Sequence, residues 1–325
     1  MSIRYETKIV IFLVGQFLTA VFCLLQAHAQ PPKWAFEHVQ MGTLFRIQIA
    51  SYDSAQAAIA AQAAFYALDS LNLIMSDYRA DSELNQLSAT AGSGEWIAVS
   101  PALWEVLEQA QKVAKHTAGA FDVSIGALTQ LWRRAVRQQQ LPDKKRLQAA
   151  RKVTHYRYIR LHSKEQKVKL TRKGMKLDLG GIAKGYANAK MQQILRQYGL
   201  HQTLIEGGGD LLADQAPQGT SGWRILLGSD TIHLKNAALA TSGDDFRFVE
   251  IYGKRYSHII NPRTGIGVTH RTKVSVICPD AVLADALSSA FSVMGRRKSQ
   301  RYACRWQRKQ HFTMLWHDTD HSIAK

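Results

Sequence analysis

At 325 residues, 46% of them apolar and 21% charged, the chain is long enough for two ordinary domains or one large one and can bury a sizeable core. That composition excludes disorder, collagen-like repeats and coiled coils. Lysine and arginine outnumber aspartate and glutamate 42 to 25, a net charge of +17 that implies attraction to polyanions and is silent about fold. Much of this charge is local. Residues 131–173 hold fifteen Lys/Arg against Asp143 and Glu165, and residues 296–309 hold seven with no acid. Neither stretch carries a zinc finger, an RRM-type aromatic signature or another nucleic-acid module, so both read as solvated basic faces and no nucleic-acid partner is expected.

In chain order, Arg4 and Lys8 precede an apolar run from Ile9 to Leu25, and Ala27-His28-Ala29 follows as a small-x-small cleavage site. Residues 1–29 therefore read as a secretory signal peptide cut after Ala29, and the remainder as exported. Cys23 lacks the preceding small residues of a lipid-attachment site. Cys278 and Cys304 read as two buried thiols, although the exported compartment would also allow a disulfide between them.

Pro31-Pro32 forms an extended lead-in, and the alternation Phe45-Arg46-Ile47-Gln48-Ile49 predicts a half-buried strand. Phe65, Leu68, Leu71 and Met75 form one apolar stripe on a helix that starts near Asp53. Ser100-Pro101 opens the next helix as N-cap and first-turn proline, with Leu103, Val106, Leu107, Ala110 and Val113 inward and Gly119 closing it. Leu141-Pro142-Asp143 starts a short helix in the basic region. Lys167 to Leu170 looks like a solvent-facing strand, and Ala187, Met191, Ile194 and Tyr198 mark a helix ended by Gly199. Strands follow at Thr203–Ile205, Arg224–Leu227, Phe248–Tyr252 and Lys273–Cys278, the last with Val274, Val276 and Cys278 on one face. A final helix carries Leu283, Leu287, Ala290, Phe291 and Met294 and stops at Gly295. Blocks of helix followed by blocks of strand predict an α+β fold with mixed or antiparallel sheets flanked by helices.

Four polar clusters interrupt the packing pattern. In Lys176 to Gly185 a short strand meets a helix at Gly180-Gly181, with Lys184 one turn in; this suits an anion at a helix N-terminus, or a tight turn with a snorkelling lysine. It fits neither the P-loop nor the dinucleotide fingerprint. Glu206-Gly207-Gly208-Gly209-Asp210 allows close backbone approach to a ligand or a flexible loop. The third cluster runs through Ala240 to Asp245 and on to His258, a candidate general base held by the Asn261-Pro262-Arg263-Thr264-Gly265 turn, or a structural histidine. In the fourth, Asp285, Ser288 and Ser289 project from one side of an otherwise apolar helix. A carboxylate there needs a cation or strong donor beside it, and oxygen donors suit Mg²⁺ or Ca²⁺; a helix-dipole role for Asp285 is the alternative.

Taken in order, the segments Met41-Gly42-Thr43, Met75 to Arg79 with Asp81 to Leu84, Thr117 to Ser124, Asp178 to Tyr186, Thr241 to Asp244, Ser257 to Gly265 and Asp285 to Gly295 resemble the ApbE family of FAD:protein FMN transferases. The resemblance spans about residues 40 to 295. It implies an ApbE-like, T-fold-like architecture, with residues 30–325 as the catalytic domain. It also implies a Mg²⁺-dependent enzyme that splits FAD at its pyrophosphate, joins FMN to a Thr or Ser hydroxyl of a partner flavoprotein and releases AMP. By the same resemblance FAD contacts fall on Met41, Tyr78, Ala120, Phe121, Asp122, Asp178, Lys184 and His258. Metal ligands fall on Gly181, Asp285, Ser288 and Ser289, and His258 and Asp285 are the catalytic pair. The implied acceptor is an FMN-binding subunit of a membrane electron-transfer complex, and the implied location is the periplasm or the extracytoplasmic face of the inner membrane. Ser289 stands where the family most often has Thr, and Asp245-Phe246 and Glu206 to Gly209 depart from the commoner forms. Alternatives of the same chemistry or fold are an FAD pyrophosphatase giving FMN and AMP and a non-enzymatic flavin-binding protein. The basic load at 131–173 is a docking face for an acidic acceptor or a membrane-near surface.

Overall fold

The computed structural model describes residues 30–244, 247–271, 273–306 and 311–317. The expected leader and Asp245-Phe246 lie outside the described residues.

Strands β1 (Lys33–Gln40) and β2 (Thr43–Ala50) form a hairpin whose β2 buries Phe45, Ile47 and Ile49 completely, as the alternation requires. Helix α1 (Ser54–Met75) is capped by Asp53, whose carboxylate accepts from the Gln56 N–H. It is long and apolar enough to cross a bilayer, but the stripe from Ala57 to Met75 is buried in the core. Helix α2 (Glu83–Ala89) and strand β3 (Ile97–Ala98) lead to α3 (Pro101–His116), capped by Ser100. Helices α4 (Gly126–Gln138) and α5 (Lys144–Lys152) follow, then β4 (Ile159–His162) and β5 (Lys167–Leu170), which with β3 make a three-stranded sheet. After α6 (Ala183–Gln197) come β6 (Thr203–Gly207), β7 (Asp210–Ala213), β8 (Trp223–Leu227), β9 (Asp230–Leu234), β10 (Ala237–Gly243), β11 (Phe248–Ile251), β12 (Lys254–Ser257) and β13 (Lys273–Cys278). The last described elements are α7 (Ala281–Met294), α8 (Arg296–Trp306) and β14 (Thr313–Trp316).

Among the described residues the main sheet has seven strands in the order β1-β2-β6-β7-β10-β13-β14, every pair antiparallel. Helices α1, α6 and α7 cover one face and enclose the principal core with the inward sides of β2, β10 and β13. The β8–β9 hairpin contributes Trp223, Ile225 and Leu234 to a second cluster with Ala50, Leu204 and Leu239. A third cluster joins Leu128 and Trp132 of α4 to Ile251 and Tyr256 of the β11–β12 hairpin, and the Trp132 indole N–H donates to the Ser257 carbonyl at 3.1 Å. That bond ties the helix to the segment leading into His258.

Several expectations need correction. Lys167 to Leu170 is the middle strand of its sheet, with Val168 and Leu170 buried, because alternating lysines keep their heads in water while the intervening side chains reach the core. No strand leads directly into Gly180: between β5 and the bend Lys176 makes only an isolated bridge to Ile125. On α6 the buried side passes through Tyr186, Ala187, Met191 and Leu195, leaving Ile194 partly exposed and Tyr198 exposed. Cys278 is buried and free, while Cys304, also free, is exposed on the outer side of α8.

At the α6–α7 crossing Gly185 allows contact that no other residue permits: a Cβ there would collide with the Ala281 carbonyl and approach the Asp285 Cβ to 2.9 Å. Substituting Gly185→Ala is expected to lower stability by roughly 1–3 kcal/mol, since neither helix backbone can yield cheaply. The shift of the urea-unfolding midpoint checks this.

Candidate active site

The glycine triplet after β6 is a tight hairpin. Gly207 pairs with Asp210 across a two-residue turn, and Gly208 and Gly209 take φ of 58° and 90°, the left-handed backbone that such hairpins require. Its consequence is the placement of Asp210. Buried at the start of β7, Asp210 forms an ion pair with Lys184, and its second oxygen accepts from the Thr241 N–H at 3.2 Å. Lys184, in the first turn of α6, also lies 3.6 Å from an Asp285 oxygen. The other Asp285 oxygen accepts from the Gly185 N–H at 3.0 Å, so α7 is tied to the start of α6.

The charges in this cluster do not cancel. Two buried carboxylates face one ammonium, leaving net negative charge where water is scarce. Burial, reinforced by Asp285, pushes the Asp210 carboxyl up despite Lys184. Burial opposes the charge on Lys184, but the attraction of Asp210 and Asp285 outweighs it and holds the ammonium protonated, above lysine's ordinary value.

The glycine bend and α7 are in contact. A Cβ at Gly181 would stand 3.0 Å from the Ser289 hydroxyl oxygen and 3.3 Å from the Phe121 ring, so only glycine leaves space between them. The Asp285 carboxylate and the Ser289 hydroxyl, one turn apart on α7 beside the glycine bend, and the backbone carbonyl of that bend are hard oxygen donors, the donor chemistry that fits Mg²⁺. The Ser288 hydroxyl donates to the Asp285 carbonyl within α7 at 2.9 Å and is buried.

A second group of charges adjoins the bend. Arg133 of α4 contacts Asp77 at 2.5 Å and Asp178 at 3.6 Å, and its guanidinium lies 4.0 Å from the centre of the exposed Tyr78 ring. Asp178 also accepts from the Gly180 N–H at 2.8 Å, which connects this group to the glycine bend. Burial and the neighbouring Asp178 push the Asp77 carboxyl up, while Arg133 draws it down.

The Thr117 to Ser124 segment wraps around Asp122. Its carboxylate accepts from the Ser124 N–H and hydroxyl at 2.9 and 2.6 Å and from the Tyr156 N–H at 2.7 Å, so the side chain holds the loop together and burial raises its pKa. Ala120 is half-buried beside it. Met41 occupies the β1–β2 turn at φ 52°, adjoining the β6–β7 turn, where a Cβ at Gly208 would approach the Thr43 hydroxyl to 2.9 Å.

His258 follows β12 and remains exposed to solvent. Its Nδ1 lies 3.0 Å from the Arg247 carbonyl, which can only accept; Nδ1 therefore carries the hydrogen and Nε2 is left as the basic nitrogen. Surrounding protein lowers its pKa below histidine's ordinary value, with the Lys184 charge a smaller contribution in the same direction.

The structure thus brings together Phe121, Gly181, Lys184, Asp285 and Ser289, places Tyr78 and Asp178 next to them through Arg133, and puts Met41 at the same edge of the sheet. Sequence reasoning placed Asp210 and Asp77 inside its motifs without giving either a role, and missed Arg133. Asp210 had a signal, the acid closing a glycine hairpin; Arg133 had none, being one cation among fifteen. Asp244, beside the expected cluster, is buried and paired with Arg255 at 3.0 Å.

The model of the ApbE family matches residues 41–315, and the chain belongs to that family. An FAD:protein FMN transferase from Treponema pallidum is 31% identical over 287 residues, covering 80% of this chain and 78% of its own. One from Salmonella typhimurium is 27% identical over 286 residues, 84% of this chain and 81% of its own. Among solved structures, the apo form of the flavinyl transferase ApbE from Pseudomonas stutzeri has a TM-score of 0.80 at 25% identity, over 89% of this chain and 92% of that one.

Replacing Arg133 with Met leaves Asp77 and Asp178 without their shared cation. The expected loss is about 1–2 kcal/mol for this half-buried group. Protonation of a carboxylate with raised folded-state pKa relieves the repulsion, so the deficit shrinks as pH falls and grows as pH rises through that pKa. Denaturation midpoints of wild type and R133M across pH measure it.

Proposed function

We propose that the chain is an FAD:protein FMN transferase, which cleaves the pyrophosphate of FAD, joins the FMN phosphorus to a Thr or Ser hydroxyl oxygen of a partner flavoprotein and releases AMP. The observation that carries this reading is the contact of the Gly181 bend with α7 beside Lys184, Asp210 and Asp285. Such an arrangement suits a diphosphate, which needs both a cation partner and fixed donors. The N-terminus of α6 and Lys184 hold and orient phosphate oxygens. Asp210 keeps Lys184 in place, and Tyr78, presented by Arg133, offers a ring face to a flat heterocycle. Mg²⁺ held by the Gly181 carbonyl, the Asp285 carboxylate and the hydroxyls of Ser288 and Ser289 would supply neutralisation of the charge on the diphosphate.

His258 acts as general base. Its Nε2 takes the proton of the attacking hydroxyl as the new oxygen–phosphorus bond forms and the bond to the AMP phosphate breaks. The hydrogen bond from Nδ1 to Arg247 supports this role by fixing the tautomer, and the lowered pKa supports it by keeping the ring neutral near pH 7. Export by the residue 1–29 leader belongs to the same reading, with the enzyme acting at the extracytoplasmic face of the inner membrane on an FMN-binding subunit of an electron-transfer complex.

Incubation with FAD, Mg²⁺ and an FMN-binding-domain protein is expected to add one FMN to that protein by mass spectrometry; FMN and AMP released with the protein unmodified would instead identify a pyrophosphatase. His258→Ala is expected to slow transfer by about 10²-fold or more. Because His258 must be neutral, the acid limb of the wild-type pH profile should lie below histidine's ordinary pKa. N-terminal sequencing of protein secreted from an intact host should begin at Gln30.

A further inference from the structure

A cleft of about 470 Å³ opens beside the Ala118 to Asp122 loop, on the side of α5. One wall is that loop with Arg263, whose guanidinium donates to the Ala118 carbonyl at 3.2 Å; the other is Gln148, Arg151, Lys152 and His155. Arg151 and Lys152 are exposed and have no hydrogen-bond or ion-pair partner for their side chains among the described residues. The rest of α5 extends this surface. Its first turn carries Lys144, Lys145 and Arg146, all exposed, with no acid in that turn. Cations at a helix N-terminus oppose the helix dipole, so this placement works against the stability of α5 itself. Asp143, the nearby acid, is occupied as the N-cap, accepting from the Arg146 N–H at 3.0 Å. Arg151 and Lys152 sit in the last turn, where cations suit the dipole, so α5 carries exposed positive charge at both ends with the N-cap Asp143 as its one carboxylate.

We propose that this cleft and the cationic side of α5 bind a carboxylate-rich segment of the acceptor polypeptide, steering it toward the site; the proposal rests on the transferase reading for the identity of that partner. Charge complementarity is the argument for the occupant: unpaired cations around a concave wall match a chain carrying several carboxylates. Concavity also separates it from a lipid surface, which an amphipathic helix meets with an apolar face. α5 offers no such face outward, since Ala150 is its buried position and Leu147 packs into the third core. Nor are ring faces free to stack on bases. His155 stacks on Tyr156 at 4.7 Å, and Arg157 and Arg172 lie over Tyr156 and Tyr158.

The test uses the whole exported chain, without flavin, and two labelled synthetic peptides of equal length, one rich in Glu and Asp and the other with Gln and Asn at the same positions, read by fluorescence anisotropy. The acidic peptide is expected to bind and the amide peptide not. R151E combined with K152E should weaken binding about tenfold, whereas R297E combined with R301E on α8, of equal charge change, should have less than about a twofold effect. Circular dichroism establishes that both variants fold, and FAD binding should be the same in both as in wild type. Equal weakening by the two variants, no binding of the acidic peptide, or loss of FAD binding in the α5 variant overturns the proposal, the last by assigning the cleft to the nucleotide. Binding of phosphatidylglycerol vesicles that depends on Arg151 and Lys152, without peptide binding, overturns it in favour of a membrane. Since peptide binding is read without flavin, its failure leaves the transfer reaction standing, and absence of transfer leaves the peptide result standing.

Discussion

Lys184, placed between Asp210 and Asp285, is the interaction on which the rest of the site depends. One ammonium facing two buried carboxylates is an unfinished electrostatic arrangement, since a single positive charge cannot neutralise both acids in a place with little water. The Ser289 hydroxyl and the glycine bend at Gly181, in contact with each other, lie beside this unneutralised charge. The same lysine lies at the start of α6, where the helix already favours anions.

The scaffold explains why these groups stay in place. Asp210 is fixed by a hairpin whose glycines alone permit its turn, Asp285 by a backbone N–H from the neighbouring helix, and the two helices by a crossing that excludes any side chain at Gly185. Groups carried on strand ends and helices that pack into one core lose little freedom when a ligand binds, which is the condition for electrostatic stabilisation of a transition state. His258 is different. It sits beyond a short hairpin held by the third core through Trp132, and it remains open to solvent.

Much of this was readable in order along the chain. The stripes of α1 and α3 and the alternation in β2 and β13 identified the buried sides correctly, and that of α7 did so at Leu287, Ala290 and Phe291 while Leu283 and Met294 are only partly buried, because apolar periodicity is a direct record of which side of an element meets the core. Two errors came from the same source. Lys167 to Leu170 looked exposed because its lysines dominate by charge, although the alternating Val168 and Leu170 decide where the strand packs. Ile194 and Tyr198 fit a helical spacing as well as Leu195 does, and only the neighbours of α6 choose between them. Cys304 was assigned to the interior without a pattern of its own, and α8 turns it outward.

The sequence by itself determined the elements, the family motifs and the residue types available for chemistry, since each depends on neighbours within a few positions. Only the tertiary structure decided partnerships. Gly185 and Asp285 are 100 positions apart, Arg133 and Asp77 are 56 apart, and nothing in the local pattern of either member specifies the other. Those pairings follow from strand register and from how closely two helices cross, quantities set by the packing of the whole core and therefore distributed over residues far from the charges they bring together.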